Sequence, residues 1–265
     1  MGWLVPLVIA ALAVIGLSGC HRRVEEAEAD AEASTGTNPV ASATQECGGE
    51  GCQEFRDQVY DLLGDSATGR ETLDYLRDNN VRVVVVSDGR GSRYSASDNR
   101  IYLDRQEGVQ RAALALVHET GHKSRVGQDG RPDVLHDSRG TYVNGMVQEE
   151  ADSTVAAIRT REELIGSGHS EMRDVAYPGA EDYALGQSAG EGQYDADHNE
   201  ADEDPPVQED REAAGRRGGE EEVRAGFDRG AYTTTGADGQ AQSYPDYYGA
   251  DYDARHPTSG SGSGQ

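Results

Sequence analysis

Residues 114 to 125, LALVHETGHKSR, place His118 and His122 four residues apart with Glu119 beside the first. Side chains at i and i+4 stack on one helical face, so the two imidazoles can be directed at a single cation. This H-E-x-x-H spacing is that of zinc-binding helices, in which the glutamate reaches a water at the metal and serves as general base. The chemistry implied is hydrolysis of a peptide bond: the metal polarises the carbonyl, and Glu119 takes a proton and later delivers it to the leaving amine. A solvated surface helix could carry the same five letters by chance. Against that, His118 directly follows the apolar run ALALV, and a buried histidine needs partners. Gly121, between the ligands, leaves room for a close backbone approach.

A catalytic zinc usually has three protein ligands. The longer pattern H-E-x-x-H-x-x-G-x-x-H is excluded, because Arg125 and Gln128 stand where its glycine and last histidine would be. His136 falls in a loop with no helical scaffold. The next helical segment carries QEEADST, with Glu149, Glu150 and Asp152. At about 100° per residue, Glu150 falls at the border of the apolar face and Glu149 points to the opposite, solvent side. Glu150 is therefore the expected third ligand of a gluzincin-type His, His, Glu site, with Glu149 as its rival. Asp152 or Glu149 could orient a histidine from behind. The alternative is an exposed acidic helix start favoured by the macrodipole. An oxyanion stabiliser is also required, and Tyr142, His136 and Tyr177 are the candidates.

The elements that must position these residues follow from hydrophobic period. Phe55, Val59, Leu62 and Leu63 mark one helix and Leu73 and Leu76 a second, with Ser66 or Thr68 as N-cap between them. VRVVVVS, from Val81, reads as a buried strand, and a Gly and Ser-rich loop leads to another strand around Ile101 and Leu103. Val109, Ala112, Ala113, Leu116 and Val117 then recur at helical spacing, so the histidines lie late in a helix from about 106 to 125. After a loop containing Gly127, Gly130, Pro132 and Gly140, Val147, Ala151, Val155, Ile158 and Ile165 define a helix from roughly 146 to 165.

Both ends read differently. Of 265 residues, 35% are hydrophobic, only two are Phe and one is Trp, Gly numbers 34 and the net charge is −25. Such composition leaves some segments too little apolar surface to offset their ordering entropy. It also argues against nucleic acid, which requires clustered Lys and Arg. Residues 1–19 read as a signal peptide, with an apolar run from Trp3 to Leu17, and no later run is long enough to span a bilayer. Export places Cys47 and Cys52, in CGGEGC, in an oxidising compartment where a local disulfide is expected. Residues 20–46 read as a flexible tether, 47–185 as the folded domain, and 186–265 as an acidic, Gly and Tyr-rich disordered tail.

Two family resemblances sharpen this. Leu17, Ser18, Gly19 and Cys20 resemble the lipobox of bacterial lipoproteins, although no Lys or Arg precedes the apolar run. The resemblance implies lipidation of Cys20, a membrane partner through that lipid, and a place at the cell envelope facing the periplasm or exterior. FRDQVYDLLGDSATGRETLDYL, VRVVVV, NRIYLD, ALALVHETGH, EEADSTVAAIRTREEL and RDVAY, within residues 55–177, are similar to the effector-type zinc metallopeptidases that some bacterial pathogens deliver into host cells. That likeness implies Zn2+ as cofactor, His118, His122 and Glu150 as ligands, Glu119 as base, and Thr154 and Val155 as the matching Thr-Val pair. Ala151 departs from a Glu-Glu pair, and the lipoprotein leader departs from injected effectors. The expected fold is α+β, a zincin-like domain with a small sheet over the H-E-x-x-H helix, flanked by disordered arms. The expected function is zinc-dependent peptide hydrolysis on a protein or peptide substrate. The competing readings are a non-catalytic envelope scaffold that keeps the fold, and a toxin aimed at neighbouring cells.

Overall fold

The computed structural model describes residues 50–128, 130–198, 207–236 and 239–257. The leader, Cys20, the tether and Cys47 lie outside the described residues. Cys52, buried on the first helix, is disulfide-bonded.

The described chain is α+β and mostly helical. Helices α1 (Glu50–Gly64) and α2 (Ala67–Asp78) pack on one another across a short turn. Ser66 caps α2 by accepting from Gly69 N, and Glu163 receives both the backbone N–H and the hydroxyl of Thr68 at 2.8 Å, tying α2 to a distant helix. Strands β1 (Arg82–Val86), β2 (Arg93–Ser95) and β3 (Arg100–Asp104) make one sheet in the order β1-β3-β2. β1 runs parallel to the central β3, with Val83 opposite Ile101, and β2 pairs antiparallel to it, with Tyr94 opposite Ile101. The four consecutive valines of β1 are all buried, which explains an unbroken apolar run rather than alternation. β2 was not expected from sequence, being only three residues long inside a Gly and Ser-rich segment.

A 3-10 turn at Arg105–Glu107 leads into α3 (Val109–Arg125), which lies under β2 and β3 and carries the histidines in its last two turns. α4 (Arg139–Gly166) packs along α3 and begins two turns earlier than the hydrophobic period indicates. Ser138 starts it by accepting from Thr141 N. Gly140 and Gly145 obscure that beginning in the sequence. A Cβ on Gly145 would stand 2.4 Å from Pro132, so the helix needs glycine where the preceding loop crosses it.

The expectation of a disordered tail over residues 186–265 is corrected for the described residues 186–198, 207–236 and 239–257. Residue 185 falls inside α5 (Ala180–Asp197), and α6 (Gln208–Asp228), a β4 (Thr233–Thr235) and β5 (Ala241–Ser243) hairpin, and α7 (Tyr244–Arg255) follow. Val223, Phe227, Tyr244 and Tyr248 join the one hydrophobic core. Composition misled because this region orders itself with few large apolar groups. α5 and α6 close on one another through glycines: a Cβ on Gly186 would lie 2.3 Å from Gly218 O, and one on Gly190 2.4 Å from Ala214 O. Backbone contact at that range supplies dispersion and excludes water without leucines. α6 and α7 then pack on α4.

Candidate metal centre

α3 and α4 meet where Gly121 faces Ser153; a Cβ on Gly121 would stand 2.5 Å from Ser153 Oγ. This near approach brings QEEADST on α4 against the histidine face of α3. His118, Glu119 and His122 form a group whose ligand atoms all lie within 4.8 Å of one another, able to hold a metal ion. Glu150 reaches the same point from α4. Its Oε2 is 3.3 Å from His118 Nε2 and its Oε1 is 3.4 Å from His122 Nε2, while the two Nε2 atoms are 3.1 Å apart. His118, Glu119, His122, Glu149 and Glu150 are each no more than 1% exposed.

Those spacings test whether a metal fits. Donors bound to a tetrahedral ion at about 2.0–2.1 Å lie about 3.3 Å from one another, the separation found here for all three pairs. The donor set, two imidazoles and a carboxylate, is one that borderline cations such as zinc accept. Glu119 completes the picture differently. Its Oε2 accepts the backbone N–H of Tyr94 on β2 at 2.8 Å, whereas Oε1 is buried with no hydrogen-bond partner. A buried carboxylate oxygen left so is costly unless a proton, a water or a cation supplies what is missing.

The ring nitrogens facing away are also held. Glu149 Oε1 lies 2.9 Å from His122 Nδ1, and Arg131 Nε lies 3.5 Å from the other Glu149 oxygen. With Glu149 accepting an Nδ1 proton, the electron pair of His122 Nε2 would be free for a cation at the point it shares with Glu150 and His118. Tyr177 Oη stands 3.3 Å from His118 Nδ1 and holds the other ring.

Several sequence expectations change here. Glu149 does not face solvent: it is fully buried, because the side of α4 that the helical wheel assigns to water meets His122 of α3 and Arg131 of the preceding loop. It sits on the Nδ1 side of His122, away from the point where the two Nε2 atoms converge on Glu150. Asp152 does not touch either histidine; it pairs with Arg125 and with Arg224 of α6. His136 has a 79% exposed side chain and pairs with Asp133, which raises its pKa chiefly through that hydrogen bond. Tyr142 donates to Asp251 instead of facing the histidines. Tyr177 comes to the site, but on the outer nitrogen of His118.

Three contributors were not anticipated. The backbone N–H of Tyr94, the guanidinium of Arg131 and Tyr248, whose hydroxyl donates to Glu150 Oε1 at 2.5 Å, all reach the site from other elements. For Tyr248 a signal exists in the sequence: Tyr244, Tyr248 and Tyr252 recur every fourth residue behind Ser243-Tyr-Pro-Asp246, a capped helix start bearing an aromatic stripe.

No protein-family model matches the chain, and no curated protein or solved structure shows significant similarity to it.

Proposed function

We propose that the chain is a zinc-dependent peptidase in which His118, His122 and Glu150 hold the metal and Glu119 is the general base. The observation that carries this reading is the near-equal spacing, 3.1 to 3.4 Å, of one carboxylate and two imidazole donors around a common point. Zinc bound there would supply Lewis-acid polarisation of a carbonyl and a lowered pKa for a water. The rest is the work of this chain's own groups. Glu149 and Tyr177 fix both imidazoles through their Nδ1 atoms. Glu119, anchored on one oxygen by the Tyr94 N–H, keeps the other for proton transfer, first from water and then to the departing amine. A carboxylate held on one side only is oriented without losing its capacity as a base.

The proposed substrate is a protein or peptide, and the proposed setting is the cell envelope, with the chain anchored by lipid on Cys20. All five groups are buried. That same burial favours a second reading, a metal-stabilised envelope scaffold without turnover, since structural metal sites are closed and catalytic ones keep an open position.

A Glu119→Gln variant separates the two. The peptidase reading expects the variant to bind zinc like the wild type and to lose cleavage of a denatured protein mixture by about 100-fold or more. Equal inactivity of zinc-loaded wild type and variant on every protein mixture tried would establish the scaffold instead.

A further inference from the structure

The C-terminal helix α7 is pinned to the start of α4 at four places. Arg139 makes two hydrogen bonds to Asp253, at 2.9 and 3.1 Å, Tyr142 donates to Asp251 at 2.7 Å, and Tyr252 donates to Asp137 O at 3.1 Å. Gly249 lets Arg139 cross against the helix, since a Cβ there would stand 2.3 Å from the guanidinium. The fourth attachment is Tyr248, 4% exposed, whose ring meets those of Tyr142 and Tyr247 edge-on and whose hydroxyl points at Glu150. Three of these contacts explain docking of the helix. The fourth ends on a buried carboxylate that already faces two histidines.

We propose that Tyr248 is a positioning residue of the metal centre, and that α7 is thereby a working part of it. A glutamate side chain has three rotatable bonds, and without a restraint its carboxylate would sample orientations that face neither histidine. The Tyr248 hydroxyl binds Oε1, and the packed tyrosines hold the ring that carries it. The carboxylate is then fixed where its two oxygens meet His118 and His122 at 3.3 and 3.4 Å. Outer partners of this kind orient the ligand and strengthen it as a donor, and their loss typically weakens metal binding about 10- to 100-fold. The proposal rests on the metal reading above.

Its test uses the full chain and Tyr248→Phe, which keeps the ring and removes the hydroxyl. Zinc affinity is measured by competition with a chromophoric chelator, and the ligand field by the visible absorption of the Co2+-loaded protein. Tyr248→Phe should bind zinc about 10- to 100-fold more weakly and shift the cobalt bands. Tyr142→Phe, which deprives α7 of a comparable bond, the one to Asp251, should retain wild-type affinity and spectrum. Unchanged affinity and spectrum in Tyr248→Phe, or equal losses in both variants, would overturn the proposal, the second outcome reducing Tyr248 to a docking contact. A wild type that binds neither metal removes the underlying reading, and the proposal with it. Should Tyr248→Phe not fold, hydrogen exchange of the wild type decides: zinc must slow exchange of the α7 amides, and no slowing refutes the coupling.

Discussion

At the scale of single residues, the pair His118 and His122 with Glu119 was readable because their relation is local: four residues on one helix fix a common face whatever else the chain does. Glu150 was accessible by the same logic from its place on the apolar border of α4. The environment of Glu149 was not, because helical angle says which way a side chain leaves the helix but not what later covers that side. Gly121 shows how a residue without a side chain carries the geometry. Gly121→Ala would put a methyl 2.5 Å from Ser153 Oγ and 3.3 Å from Ser153 Cα, so α3 and α4 must part. The variant should lose about 1–3 kcal/mol of stability, the usual cost of overpacking, when unfolded in urea. Ser153→Ala in the same chain should recover part of it, since the hydroxyl is the nearest obstacle. Additive losses in the double variant would show that this contact does not set the helix spacing.

At the scale of elements, α1 to α3 and the strands β1 and β3 follow from period, caps and a valine run, while β2 and the α5–α6 pair do not. Three residues in a Gly and Ser-rich segment carry too little pattern to announce a strand, and glycines packed backbone to backbone resemble a linker in composition. The α5–α6 pair makes a contrast testable within one helix. Gly186→Ala meets the carbonyl oxygen of Gly218 at 2.3 Å, a backbone atom that cannot rotate away, whereas a Cβ on Gly192 meets nothing within 4 Å. Gly186→Ala should therefore lower the thermal midpoint, and Gly192→Ala should raise stability by roughly 0.5–1 kcal/mol through helix propensity. A drop of similar size in both would contradict the close-packed hairpin. A second element-scale contact titrates. His169, just beyond α4, bonds Asp65 in the α1–α2 turn at 2.8 Å, and that bond above all raises its pKa. A histidine whose folded pKa exceeds its unfolded value, about 6.5, contributes stability that is complete below that value and fades as pH rises through the folded pKa. The difference in stability between wild type and Asp65→Asn should accordingly be largest in mildly acidic solution and shrink above neutrality. A difference that grows with pH would show that the pair does not act through the histidine charge.

At the scale of the whole molecule, an acidic chain with few aromatic side chains beyond tyrosine folds more of itself than composition indicates. Seven helices among the described residues enclose a site built from α3, α4, the edge of β2 and α7. The tyrosines that look like a sticky tail serve as core, with Tyr244 fully buried and Tyr248 nearly so. What could not be read from sequence was long-range: which segment comes back across α4, and so which hydroxyl meets Glu150. Because the proposed ligands come from two helices that must be packed together, metal binding there would be linked to folding. Zinc at about 100 times its dissociation constant should add about 2.7 kcal/mol to the stability of the wild type, and chelation should reverse the gain. His118→Ala should show no such response. The most direct test of the central claim is the metal content of the purified full-length protein after equilibration with zinc and removal of the excess. About one zinc per chain is expected, retained in Glu119→Gln and lost in His118→Ala, His122→Ala and Glu150→Ala. Zinc that is absent from the wild type, or that stays at the same level when Glu150 is replaced, would contradict it.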